Sequence, residues 1–375
     1  MKLKIFLFIT QVANCGVGYY RQWLPLKKLE EQGKIELRVI DFNWGEKELK
    51  NPFVCTFNSD ASEMLKAEPE QRLVDALVWA DLIYICRDET TSFISVIGAF
   101  KEWCKERGVK RPILLDIDDL IAHTRPHNPG YLSFYPGSAY IQLNKHLAEI
   151  VDGITVSTEY LKKQYKKTNK KIFICPNSLD IKLRDKFLKT KPTIPKKKNE
   201  VRIGWAGSAA HWENLKGVES AITDIMKKYP NVTFHYTGLY GDLFKRFKNR
   251  VKTVKFAKLK DWPKKLASMG LDIAIAPLAD NHFNRAKSNL RVLEYWACKY
   301  AVVASPVLPY KFIKDGVDGY LAREKDEWFD KLELLIKDKD MRNKLAQKGY
   351  ERLVKEYDVE KNCGIWMDVF KKYKS

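Results

Sequence analysis

The chain has 375 residues, 45% of them hydrophobic, so it is long enough and apolar enough for two folded domains, each with its own core. No apolar run approaches the roughly 20 residues of a membrane-spanning helix. The seven cysteines include no CxxC pair, which speaks against a zinc site and for reduced thiols in a cytosolic protein. A formal net charge of +20 leaves two readings open: solvated lysine-rich faces, or a polyanionic partner such as nucleic acid or anionic lipid.

The first apolar run, Leu3 to Ile9, reads as a buried strand. Its core of about six residues is short for a signal peptide, and Asn14 is a poor residue before a cleavage-site cysteine. Helices and strands then alternate. The pattern predicts a helix from about Tyr19 to Glu31, a strand over Ile35 to Ile40, a helix near Gln71 to Trp79 and a strand over Leu82 to Cys86. A helix from Ser92 to Arg107, a strand over Ile113 to Leu115, a helix near Ile141 to Val151 and a strand over Gly153 to Val156 follow. A helix from Glu159 to Lys166 and a strand over Ile172 to Cys175 complete a doubly wound parallel sheet in outline. The lysine-rich stretch from Lys186 to Glu200, with Pro192 and Pro195, is the best interdomain linker. A second alternating series begins at Val201, and from about Asp326 the chain is helical. The predicted division is 1–190, a linker over 191–200, a second α/β domain over 201–355, and a terminal helix over 356–375 with Ile365, Trp366, Val369 and Phe370 as its apolar face.

Four segments carry candidate chemistry. NCGVGYY follows the first strand; Gly16 and Gly18 would let the backbone approach a ligand, or mark a plain tight turn. ILLDIDDLI opens a strand into Asp116, Asp118 and Asp119. Clustered carboxylates suit a cation, a polar ligand or a raised pKa, or else a helix cap and its first-turn acid. VRIGWAGSAAHWENLKG is again strand, loop and helix, with Gly207, Ser208, His211 and Lys216 as candidates. A histidine on such a loop could bond phosphate and be held as the cation by it. Finally, LDIAIAPLADNHFNRAKSNLRVLEYWACKYAVVAS, Leu271 to Ser305, reads as strand, polar loop, helix and strand. Leu290, Leu293 and Ala297 make an apolar face, and Lys287, Arg291 and Glu294 a polar one. At about 1.5 Å rise per residue, Lys287 and Glu294 are expected roughly 10 Å apart, the span from a nucleotide's diphosphate to its ribose. N–H groups at Ser288 and Asn289 would meet phosphate and Glu294 the ribose hydroxyls; alternatively the three charges pair among themselves.

KSNLRVLEY, followed by AVVAS at Ala301 to Ser305 and IKDGVDGYLA at Ile313 to Ala322, resembles the nucleotide-sugar motif of retaining glycosyltransferases of the GT-B fold, group 1 or family 4-like. Many members carry a glutamate about eight residues before the ribose-binding one; Ala286 stands near that place here, in a "KS..K.lEY" version of the motif. NCGVGYY is similar to the family's "GGvG" loop, and Val201 to Gly217 to its donor-domain loop, with Ser208 where many relatives have arginine and Lys216 and Gly217 keeping the "KG" pair. DIDD, HNPGY and VSTEYL resemble GT-B proteins often found in phages. The DxD of Asp116 to Asp118 also occurs in the GT-A fold, but that fold leaves the later phosphate loops without a role.

The resemblance implies two Rossmann-like domains facing a cleft, with the terminal helix crossing back to the first. It implies transfer of a sugar from a nucleoside diphosphate sugar, UDP-sugar favoured, to an acceptor hydroxyl with retention of configuration. Glycine and donor-loop residues would bind the diphosphate, Glu294 the ribose, and Asp116, Asp118 and Asp119 would act on acceptor or donor sugar. No cofactor is obligatory; Mg or Mn could assist, and no metal ligands are assigned. The expected acceptor is 5-hydroxymethylpyrimidine in phage DNA, in the host cytoplasm. A peripheral-membrane enzyme of lipid-linked or surface polysaccharide and a non-catalytic nucleic-acid-binding protein on the same scaffold are the alternatives.

Overall fold

The computed structural model describes residues 2–10, 16–42, 76–86, 91–128, 130–208, 211–238 and 244–373. The chain forms two units: Met1–Ala122 with Ser133–Asn177 and Val359–Ser375, and His123–Leu132 with Ser178–Asp358. Each is a six-stranded parallel sheet with helices.

In the first unit, β1 (Leu3–Thr10), β2 (Ile35–Phe42), β3 (Leu82–Cys86), β4 (Ile113–Ile117), β5 (Gly153–Val156) and β6 (Ile172–Ile174) lie in the order β2-β1-β3-β4-β5-β6. The run at Leu3 is therefore a central strand, in register with Ile35 on one side and, from Ile5, with Leu82 on the other. LIYIC and ILLDI are buried at every position, because a parallel sheet covered on both faces selects continuous apolar runs rather than alternation. A π-helical turn over Gly18–Trp23 runs into α1 (Leu24–Glu31), where Pro25, having no N–H, adds no donor to the first turn. Further helices are α2 (Thr91–Glu106), α3 (Ala139–Ile150) and α4 (Glu159–Tyr165). Ser138 caps α3 and Thr158 caps α4, each accepting from a backbone N–H three residues on, at 3.3 and 3.2 Å. The predicted helix near Gln71 falls in the described residues only over 76–79, which are helical.

In the second unit, β7 (Val201–Trp205), β8 (Val232–Thr237), β9 (Val251–Val254), β10 (Ile273–Ala276), β11 (Ala301–Ala304) and β12 (Tyr320–Leu321) take the order β12-β11-β10-β7-β8-β9. Strand order reverses between β7 and β10, and in the first unit between β1 and β3; sheets of this kind bind ligands at the carboxyl ends of those strands. The helices are α5 (Ile181–Asp185), α6 (Trp212–Lys216), α7 (Glu219–Lys228), α8 (Trp262–Ala267), α9 (His282–Ala286), α10 (Leu290–Ala297), α11 (Lys325–Lys337) and α12 (Lys339–Glu356). Ile203, Ile222, Ile225, Phe234, Val303, Trp328 and Leu332 anchor one core of this unit. The stretch before β7 packs on it. Thr193 N–H donates to the Ser268 carbonyl at 2.9 Å, Lys196 pairs with Asp272 at 2.5 Å, and Pro192 lies where a side chain on Gly270 would sit.

The chain ends back in the first unit, as α13 (Val359–Asn362) and α14 (Gly364–Lys371). Trp366, Val369 and Phe370 are buried and Ile365 is half-buried. Trp366 Nε1 donates to the Tyr84 hydroxyl at 3.3 Å, and the Phe370 and Tyr84 rings meet edge to face at 5.5 Å. Cys86, Cys104, Cys175 and Cys363 are buried free thiols and Cys298 is a half-buried one. Among the described residues no helix is long and apolar enough to cross a membrane.

Candidate functional site

In the second unit the carboxyl end of β7 is crowded. Trp205 is fully buried, and the Gly207 that follows fits only because it lacks a side chain: a Cβ there would lie 2.2 Å from the Trp205 ring and 2.9 Å from Arg291 Nη2. Gly207 N–H donates to the Thr237 hydroxyl at 2.9 Å, and that hydroxyl donates back to the Gly207 carbonyl at 3.0 Å. The Gly207 N–H expected to meet a ligand is thus engaged within the fold. The Arg291 guanidinium stacks on Trp205, 5.0 Å from the ring centroid, and its Nη1 is buried without a hydrogen-bond partner. A buried, unpartnered guanidinium nitrogen costs free energy that an anion would recover.

Two further basic groups converge there. His211 lies edge-on to Trp205 at 6.4 Å, with Nδ1 3.4 Å from Asn214 Nδ2. Burial, reinforced by the charges of Arg291 and Lys287, pushes its pKa well below the usual histidine value. His211 is therefore neutral at pH 7 in the free protein, and the cation expected from its sequence position is one that a bound phosphate would have to stabilise. Lys287 Nζ sits 4.2 Å over the Phe283 ring. Ser208 and Lys216 are exposed, Lys216 with Nζ 4.7 Å over Trp212; residues 209–210 lie outside the described residues.

The helix expected to carry both Lys287 and Glu294 starts after Lys287. Asn281 caps α9, which ends at Ala286; Lys287 is extended (φ −62°, ψ 155°) with its N–H on the Asn284 carbonyl, and α10 begins only at Leu290. Lys287 and Ser288 thus precede the helix rather than sharing its face with Glu294. Asn289 is the N-cap position, its carbonyl accepting from Val292 and Leu293, and Ser288 Oγ accepts from Leu290 N–H at 3.4 Å. Glu294, one turn in, keeps 13% of its side chain exposed; Arg184 Nη2 (2.8 Å) and Trp262 Nε1 (3.0 Å) both donate to its Oε1. Asn214 Oδ1 accepts from Ala279 N–H and Asn284 Nδ2, fixing the loop after β10. A cavity of about 200 Å³ opens along that loop, lined by Glu213, Asn214, Ala279, Asp280, Ser305 and Arg323 among others. His127 Nε2, from the HNPGY stretch, pairs with Glu213 at 2.9 Å; Pro129 lies outside the described residues.

In the first unit the aspartates separate. Asp116 is 1% exposed, and its carboxylate accepts from Arg21 at 2.8 and 3.1 Å, Tyr84 at 3.0 Å and Thr155 at 2.6 Å. Arg21, itself buried, also donates to the Cys175 carbonyl and to Asn177 at 3.1 Å. Burial raises the Tyr84 hydroxyl's pKa and pushes the Cys175 thiol up to about 12, so both stay neutral around the ion pair. Buried this way, Asp116 has no surface to offer a ligand. Asp118 and Asp119, past the strand end, are half-buried; Ser157 Oγ reaches the Asp118 carbonyl at 3.5 Å. Gly16 and Gly18 begin the helical segment after β1, and residues 11–15 of that loop lie outside the described residues.

Sequence reasoning gave no site role to Arg291, Trp205, Arg184 or Trp262. Arg291 stands three residues before Glu294, one helical turn, which was a usable signal. Arg184 is 110 residues away from its partner and had none.

Residues 219–368, less than half of the chain, match the family model described as glycosyl transferase-like. No curated protein matches the chain. Among solved structures, Anabaena Alr3699/HepE in complex with UDP and glucose superposes with a TM-score of 0.67 at 18% identity, covering 99% of this chain and 100% of that one. The fold is GT-B. TarM of S. aureus has a TM-score of 0.52 at 16% identity, over 77% of this chain and 54% of that one. A Listeria monocytogenes protein described as a UDP-N-acetylglucosamine 2-epimerase reaches 0.59 at 14%, over 100% and 97%. GT-B architecture thus accommodates more than one chemistry, and activity has to be argued from the site.

Proposed function

We propose that the protein is a nucleotide-sugar-dependent glycosyltransferase that moves a sugar from a UDP-sugar to an acceptor hydroxyl, with retention of configuration. The observation that carries this is the unpartnered, buried Arg291 Nη1 with His211 and Lys287 beside it, one turn ahead of the anchored Glu294. In this reading the diphosphate supplies the missing acceptors, and Arg291, Lys287 and His211 stabilise the charge that develops on the leaving group. Glu294, held by Arg184 and Trp262, takes the ribose hydroxyls, and the cavity along the β10 loop takes the donor sugar. HepE, whose structure holds UDP and glucose, supports UDP as the nucleotide. Asp118 and Asp119 are the proposed groups for the acceptor hydroxyl, and Asp116 positions the strand end that carries them.

The proposed acceptor is hydroxymethylated pyrimidine in DNA of phage type. Supporting it is a basic face of the first unit: Lys162, Lys163, Lys166 and Lys167 on and after α4, then Lys170 and Lys171, with Lys371 and Lys372 at the end of α14. Lys171 and Lys372 lie over Tyr373 and Phe173 at 5.4 and 4.8 Å, which joins the two lysine groups. None of the exposed large apolar side chains among the described residues belongs to this face, which favours a phosphate backbone over an inserting membrane contact. The test offers labelled UDP-sugars with hydroxymethylated DNA, unmodified DNA or anionic vesicles. Incorporation into hydroxymethylated DNA alone is expected; incorporation only with vesicles transfers the assignment to the membrane, and no transfer or donor hydrolysis under any condition removes the enzyme reading.

A further inference from the structure

Phe256 follows β9 at the carboxyl edge of the second sheet, the edge that also carries Gly207 and the start of α10. It is 51% exposed. One face is occupied: the ring stacks on Trp262, with centroids 5.2 Å apart and planes 16° from parallel. Trp262 is itself 7% exposed, and its Nε1 donates to Glu294 Oε1, the same oxygen that Arg184 holds. The platform under Phe256 is therefore fixed at both ends, by burial of the indole and by a charge-assisted hydrogen bond. A chain of contacts runs from Gly207 to Arg291, then one helical turn to Glu294, on to Trp262 and out to Phe256. Its chemistry changes from cationic to carboxylate to aromatic, the order that the diphosphate, ribose and base of a nucleotide would require.

We propose that Phe256 is the platform on which the base of the donor nucleotide stacks, next to the ribose at Glu294. This rests on the donor-site reading above and adds a specificity-determining residue to it. An aromatic face accepts any base, so stacking supplies affinity, and discrimination among bases falls to hydrogen bonds around the ring edge.

The test titrates the full-length protein calorimetrically with UDP, GDP, ADP, dTDP and inorganic pyrophosphate. At least one nucleoside diphosphate is expected to bind more tightly than pyrophosphate. For the tightest of them, Phe256→Ala weakens binding about tenfold, the usual loss when a stacking ring is removed. Phe256→Tyr retains most of the affinity, and pyrophosphate binds all three proteins alike. Unchanged nucleotide binding in Phe256→Ala, or an equal loss for nucleotide and pyrophosphate, overturns the platform while leaving the donor site standing. If the unaltered protein binds none of the nucleotides, the donor-site reading falls and the platform falls with it. Because Phe256 is half exposed, the melting temperatures of the variants should match that of the parent, which separates lost stacking from lost folding.

Discussion

His211 shows how one side chain can link binding to pH. Burial and two neighbouring cations keep its pKa well below the ordinary histidine value in the free protein. The folded state therefore binds fewer protons than the unfolded one as pH falls through about 6.5, and His211 lowers stability in that direction. A bound diphosphate reverses the local field and raises the pKa, so binding takes up a proton. UDP-glucose affinity is expected to increase as pH falls from about 8 to about 6, because the sugar-linked diphosphate has no titrating oxygen of its own in that range. In His211→Gln the dependence should flatten. Calorimetry across the range checks it; a flat profile in the parent, or the same slope in the variant, contradicts a role for His211 at the phosphates.

Among elements, Asp116 does the work of a structural hub. Through Arg21, Tyr84 and Thr155 it joins the π-helical turn before α1 to β3, β4 and β5, and through Arg21 to the residues after β6. Asp116→Asn leaves the Arg21 guanidinium buried without its counter-charge, so a loss of about 3–5 kcal/mol is expected in denaturant unfolding of the first unit. A variant of parental stability would show that the ion pair is dispensable. The sequence placed Asp116 with Asp118 and Asp119 because spacing reveals a cluster but not which member turns inward; the deciding partner lies 95 residues away. The strands around it were legible for the opposite reason. Leu82–Cys86 is a short, continuous apolar run, and burial on both faces leaves few other arrangements for it. The late start of α10 had no such signature: Lys287, Ser288 and Asn289 include neither proline nor glycine, and α9 closes at Ala286 with the Lys287 N–H on the Asn284 carbonyl.

At the scale of the whole molecule, two α/β units of the same architecture carry different loads. The first unit pairs its buried Arg21 with Asp116; the second keeps one buried nitrogen of the half-buried Arg291 guanidinium without a hydrogen bond, near the reversal of its strand order. The terminal helices return the chain to the first unit through Trp366 and Phe370, a return that the family resemblance implied rather than the residues themselves. A buried guanidinium nitrogen held without a hydrogen bond is a stability sacrifice of the kind expected at a binding site. The measurement that tests this most directly is UDP-glucose binding and thermal unfolding of Arg291→Met beside the parent protein. Methionine keeps much of the apolar stem and removes the unpartnered group. The account predicts that Arg291→Met melts no lower than the parent, yet binds UDP-glucose about a hundredfold more weakly. Parental affinity in Arg291→Met, or a loss of affinity that merely follows a loss of folding, would contradict it.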